Sequence, residues 1–161
     1  MNCIPFNLFL KTFSKFPIEK KMRAKKKRVM FVDDEPHILT ALWRVFRKDG
    51  LEIYLAHNGW EALNKLRKNS VDLVVSDYRM PGMSGLELLE EVRKRYPQTK
   101  GMILSAYDDY PRLLREAKKY PKLFPFISKP WEERILKSMV NRLLEQGSSY
   151  DSFQEAIAKA S

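Results

Sequence analysis

The chain has 161 residues, room for one domain of ordinary size with short tails, and its 44% apolar and 31% charged residues are globular proportions. A single cysteine, Cys3, excludes an internal disulfide, and no apolar run reaches the ~18 residues needed to span a bilayer. The net charge of +10 is concentrated in residues 1–28, where nine Lys/Arg face Glu19 alone, so a nearly neutral body follows a basic leader. A patch for nucleic-acid backbones would have to lie in that leader.

In the leader, Ile4, Phe6, Leu8, Phe9, Leu10 and Phe13 precede the basic run. A secretory signal has the reverse order, with basic residues first. Residues 1–27 are therefore expected to be disordered or an upstream extension, with Met22 as an alternative start. A membrane-surface anchor and a nucleic-acid adaptor remain as other uses of this segment.

From Val29 onward, short apolar runs alternate with helical patterns. The run "VMFV" (29–32) predicts the first strand. "PHILTALWRVFRKDG" follows, with Ile38, Leu39, Leu42, Val45 and Phe46 on one stripe, Pro36 in the first turn and Gly50 closing the helix. "EIYLA" (52–56) is the second strand, and "GWEALNKLRKN" the second helix, through Ala62, Leu63 and Leu66. "VDLVVS" (71–76) is followed by the turn Arg79–Gly85 and a third helix with Ser84 as N-cap and Pro97 as stop. "GMILSA" (101–106), a short helix between Pro111 and Pro121, "LFPFIS" (123–128) and a last helix from Trp131 complete the series. Strands alternating with helices imply right-handed crossovers and a parallel sheet covered on both faces. Ligands of such sheets bind beyond the carboxyl ends of the strands.

That edge collects charge. The first strand delivers Asp33, Asp34 and Glu35, the third Asp77, the fourth Ser105 and the fifth Lys129. Carboxylates this close repel, and an oxygen-rich cluster suits a hard divalent cation such as Mg²⁺, with Asp34 and Asp77 as direct ligands and Asp33 holding metal-bound water. Mg²⁺ takes one or two carboxylates plus phosphate oxygens, so the site is suited to a phosphate as well. Glu35 is expected in the first turn of the following helix, where negative charge is favoured. His37 and His57 have no pairing that suggests a metal or catalytic site, and Trp43, Trp60 and Trp131 read as packing or partner-facing aromatics.

Four motifs, "FVDDEP", "SDYRMPGMSG", "ILSA" and "ISKP", occur in the order and at the separations of a known family. Residues 27–146 resemble the receiver domain of two-component response regulators. The resemblance implies a flavodoxin-like α/β fold, a five-stranded parallel sheet of order 2-1-3-4-5 with helices on both faces. It implies that Asp77 is the phosphoacceptor, attacking a phosphohistidine on a sensor histidine kinase or phosphotransfer protein. Mg²⁺ (or Mn²⁺) would be held by Asp33, Asp34, Asp77 and the backbone carbonyl of Arg79, with Lys129 pairing a phosphoryl oxygen. Ser105 would then bond the phosphoryl group, and Phe126 would turn inward as the second element of the switch.

The expected organisation is a leader (1–27), a receiver (28–146) and a short tail (147–161). The reading is of a stand-alone, cytoplasmic signalling module rather than an enzyme, with no DNA-binding domain in the tail. It would act on a protein target through the face of the fourth helix, fifth strand and fifth helix, with a phosphorylation-dependent homodimer as one outcome. An aspartate-nucleophile phosphatase is the enzymatic rival, set back because Asp33 and Asp34 are adjacent rather than spaced as Asp-x-Asp. Three departures from the family stand out. No Gly precedes the fifth strand, where Pro121 and Pro125 stiffen the loop; Phe126 has no hydroxyl; and bulky Arg79 and Tyr107 occupy positions that would shield an acyl phosphate.

Overall fold

The computed structural model describes residues 25–119 and 124–145. One sheet of five parallel strands has the order β2-β1-β3-β4-β5. The strands are β1 (Arg28–Val32), β2 (Glu52–Ala56), β3 (Leu73–Asp77), β4 (Lys100–Ala106) and β5 (Phe126–Lys129). The helices are α1 (Pro36–Phe46), α2 (Gly59–Leu66), α3 (Gly85–Arg95), α4 (Tyr110–Ala117) and α5 (Glu133–Glu145), and a 3₁₀ turn, Tyr107–Asp109, leads into α4. Architecture and strand order agree with the sequence expectation. The leader and tail expectations fall mostly on residues 1–24 and 146–161, outside the described residues.

Successive side chains of a strand point to opposite faces. β1 therefore sends Met30 and Val32 to one side and Val29 and Phe31 to the other. The first side is covered by α2, α3 and α4 through Ala62, Leu66, Leu86, Leu89, Val92 and Leu113. The second is covered by α1 and α5 through Leu39, Leu42, Phe46, Leu136, Val140 and Leu143. The rings of Phe31 and Phe46, 5.1 Å apart, fix α1 over the first strand. Burial on both faces is why β1 and β3 read as unbroken apolar runs.

Helix starts follow local chemistry. Ser84 and Glu87 form a reciprocal capping box at α3. Asn58 caps α2 by accepting the Glu61 N–H at 2.8 Å. Pro36 opens α1 as expected, but Glu35 is the N-cap, one position before the first turn, and its side chain makes no capping bond. The carboxylate that takes up a free N–H there is Asp33, whose Oδ1 accepts from Glu35 N at 3.0 Å.

Two boundaries differ from the periodicity. α2 ends at Leu66, and in the turn beyond it the Asn69 backbone N–H and side-chain amide both donate to the Lys65 carbonyl. β5 begins at Phe126, later than the apolar run suggests. Pro125 has no N–H to give the ladder, although its carbonyl accepts from Ile103 N at 2.8 Å.

Candidate functional site

β1 and β3 are neighbours, with Val32 beside Ser76, so their chain ends bring Asp33 and Asp77 to the same edge. Asp33 is 0% exposed and Asp77 7% exposed. β5 enters from the far side of β4 and ends in Lys129, whose ammonium donates to Asp33 Oδ2 at 2.7 Å and to Asp77 Oδ1. One cation is thus shared by two buried carboxylates. Asp34 is exposed and lines the adjoining cleft.

The electrostatics follow from that count. Burial raises the Asp77 carboxyl to about 6, against the pull of Lys129 and with the Asp33 charge adding to the rise. The group is still mainly ionised at neutral pH. Burial works against the Lys129 ammonium too, but its bonds to Asp33 and Asp77 outweigh this and hold its pKa above the usual lysine value. Lysine therefore stays charged at the centre of the site.

Ser105 is 3% exposed and lies one residue beyond Leu104, the β4 partner of Asp77. Its hydroxyl donates to the Ala106 carbonyl at 3.2 Å. Phe126 is half-buried against the cluster under α3 and α4. Lys129 therefore contacts both Asp33 and Asp77, Ser105 lies on the strand beside Asp77, and Phe126 stands at the opposite end of β5 from Lys129. The Arg79 guanidinium pairs with the buried carboxylate of Asp109. The Tyr107 side chain lies outside the described residues.

A cleft of about 410 Å³ opens beside Asp34, lined by Tyr78, Arg79, Ser84, Arg112 and Glu116 among others. Its far wall is α4, tied back by a bond of 2.7 Å from the Tyr78 hydroxyl to Glu116. Sequence reasoning did not find Tyr78, Asp109 or Glu116. Pairs formed between distant segments leave no periodic trace, and this part of the sequence shows only a short helix between Pro111 and Pro121. The Lys129–Pro130 peptide is cis, for which the sequence offers only the X-Pro step itself.

A doubly covered parallel sheet of order 2-1-3-4-5, with buried acids and a lysine at its carboxyl edge, places the chain among the doubly wound α/β modules. Residues 29–141 match the response regulator receiver domain, and the chain belongs to that family. It is 31% identical over 117 residues to sporulation initiation phosphotransferase F of Bacillus subtilis, covering 73% of this chain and 93% of that protein. It is 31% identical over 142 residues to the transcriptional regulatory protein GlrR of Escherichia coli, covering 87% of this chain. The chain spans about a third, 32%, of the length of GlrR. Among solved structures, the signal receiver domain of an HD domain-containing protein from Pseudomonas fluorescens superposes with a TM-score of 0.70 at 27% identity, covering 75% of this chain and 96% of that one. The chemotaxis protein CheY4 of Vibrio cholerae gives 0.67 at 29% identity, covering 74% and 100%.

Receiver domains are typically non-enzymatic modules of two-component signalling, and membership implies a histidine kinase or phosphotransfer partner. The family generally uses Mg²⁺. Among the described residues no group of three or more His, Cys, Asp or Glu is gathered closely enough to make a metal cage. The donor chemistry nevertheless fits a cation that keeps most of its water: two buried carboxylates share one ammonium, which leaves excess negative charge. None of the described helices is long and apolar enough to cross a membrane.

Proposed function

We propose that the protein is a phosphoacceptor of a two-component relay, with Asp77 the residue that takes the phosphoryl group from a histidine kinase or phosphotransfer protein in the cytoplasm. The observation that carries this reading is the Lys129 ammonium bonded to both Asp33 and Asp77 at the sheet's carboxyl edge. An oxygen of the ionised Asp77 carboxylate attacks phosphorus, and the P–N bond of the donor phosphohistidine breaks as the new P–O bond forms. Lys129, already in contact with Asp77, pairs with a phosphoryl oxygen and offsets its charge. Asp33, Asp34, Asp77 and the Arg79 backbone carbonyl would hold Mg²⁺, which when bound supplies charge neutralisation for the transferred group.

Ser105 and Phe126 serve as the switch. The Ser105 hydroxyl leaves the Ala106 carbonyl for the phosphoryl oxygen and draws the segment after β4 toward Asp77, while Phe126 moves further into the cluster it already borders. The output is a changed protein-binding face at α4, β5 and α5, for a protein target or a second copy of the chain.

The test is incubation with a small phosphodonor and Mg²⁺, followed by intact mass. A gain of one phosphoryl group by the wild type that Asp77→Asn abolishes supports the reading. No gain in either protein contradicts it.

A further inference from the structure

The two residues after Asp77 reach across the cleft to α4. Tyr78 is 2% exposed, and its backbone is fixed on both sides. Its N–H donates to the Leu104 carbonyl at 2.7 Å, and its carbonyl accepts from Gly85 N at 3.0 Å. The ring is buried in the same cluster as Leu113 of α4. Its hydroxyl donates to Glu116 Oε2 at 2.7 Å, and Arg112 Nε donates to the other carboxylate oxygen at 2.9 Å. The next residue, Arg79, pairs with Asp109, the N-cap residue of α4. Asp109 makes no capping bond to its own helix, and its side chain is only 5% exposed. The ion pair with Arg79 is what offsets the burial of that carboxylate.

We propose that Tyr78 and Arg79 are positioning residues that tie the main chain at Asp77 to α4, one arm through Tyr78–Glu116 and the other through Arg79–Asp109. This deepens the phosphoacceptor reading and rests on it. The arms differ in their response to charge. Tyr78–Glu116 is a hydroxyl–carboxylate bond at the end of a buried rigid ring, and it carries movement of the Asp77 backbone into the last turns of α4. Arg79 is 61% exposed and only two residues from Asp77, so it can exchange partners.

A phosphoryl group on Asp77 brings added negative charge and strong acceptor oxygens beside that guanidinium. As Arg79 turns to them, Asp109 loses its counter-charge and cannot stay buried as an anion without cost. The 3₁₀ turn that holds Asp109 opens to give the carboxylate water. Glu116 stays tied to Tyr78, so α4 pivots about its end instead of detaching. The bistable element is the turn, and the event that biases it is local charge.

Backbone hydrogen exchange of the full chain, followed by mass spectrometry with and without a small phosphodonor and Mg²⁺, tests both arms. Without donor, Tyr78→Phe keeps the ring and should raise exchange in α4 about fivefold, the size of one net hydrogen bond. Glu116→Leu, a change outside the core, should do the same. Glu116→Gln keeps an oxygen acceptor for the hydroxyl and should change α4 by less than about twofold. Asp109→Asn should raise exchange at residues 107–112 before any donor is added. In the wild type, donor should raise exchange at 107–112 while the end of α4 stays protected, and in Asp109→Asn that donor-dependent rise should be absent. Unchanged α4 exchange in both Tyr78→Phe and Glu116→Leu overturns the first arm, and a full donor response in Asp109→Asn overturns the second. A wild type that gains no phosphoryl mass sinks the phosphoacceptor reading instead, and the donor-free comparisons still decide whether the tie exists.

Discussion

The Lys129 ammonium lies 2.7 Å from Asp33 Oδ2, joining residues 96 apart in the chain, and the same nitrogen bonds Asp77. The last residue of β5 is thereby set against the carboxylates that follow β1 and end β3. Two acids and one base leave the site one charge short of neutral. Lys129→Met leaves both carboxylates buried without a counter-ion and should cost about 3 kcal/mol of unfolding free energy. Denaturant titration in a chelator measures this. In an Asp77→Asn background the same change strands one carboxylate, and the cost should fall by about half. Equal costs in the two backgrounds would show that Lys129 is not shared.

Asp77 itself works against stability. Its folded carboxyl titrates near 6, above the ordinary 3.8, and the first cause is burial. Folding therefore favours the protonated form, and stability falls as pH rises from about 4 through 6. Asp77→Asn removes the buried charge and should stabilise the fold above pH 6 by ~3 kcal/mol. The gain should shrink as pH falls through 4 and vanish near pH 3, where wild-type Asp77 is largely protonated in both states. Thermal and denaturant unfolding across that range, again in chelator, tests the sign. A gain that grows on acidification would mean that the site holds the anion more tightly than water does.

Glu61 shows the opposite sign. Burial acts to raise its pKa, but bonds from the Lys65 ammonium, the His57 N–H and the His57 ring outweigh it and bring the group to about 2. A depressed carboxyl contributes stability that is present above the ordinary value of 4.5 and lost as pH falls toward 2. The side chain is 33% exposed, so screening reduces the contribution to ~1 kcal/mol. Glu61→Gln should lower stability by that amount at pH 7 and match the wild type near pH 2. Calorimetric unfolding at the two pH values is sufficient.

These three acids also mark what sequence alone could reveal. Asp33 and Asp77 were legible because a doubly buried strand is an apolar run, and a carboxylate at its end is conspicuous. Ser84 was legible as an N-cap because a serine stands just before an apolar helical stripe, while its reciprocal partner Glu87 emerged only from the structure. β5 was placed too early because Phe124 and Pro125 are buried without belonging to the ladder, and composition reports burial, not pairing. Arg79 stands out in the sequence only for its bulk beside Asp77, and its pairing with Asp109 appears only in the structure. Glu116 and Asp109 gave no signal, since a charged residue on or beside a short helix looks the same whether it faces water, a buried tyrosine or an arginine from another segment.

Packing at α3 provides a prediction that separates backbone from side-chain contact. A Cβ on Gly85 would lie 2.1 Å from the Asp77 carbonyl oxygen, and that oxygen belongs to the strand end that aims the Asp77 side chain. A Cβ on Gly59 would lie 2.6 Å from Met83 Sδ, the far part of a flexible side chain. Both glycines open helices, so the difference in outcome reports what stands in the way. Gly85→Ala should cost about 3 kcal/mol or more, because only a shift of β3 or of all α3 makes room. It should also slow phosphoryl uptake, since Asp77 is displaced from Lys129. Gly59→Ala should stay within about 1 kcal/mol of wild type, with Met83 rotating away and the better helix former offsetting the contact. Unfolding free energies measured side by side decide the matter, and equal losses at the two positions would mean that Asp77 is not held by the close approach of α3.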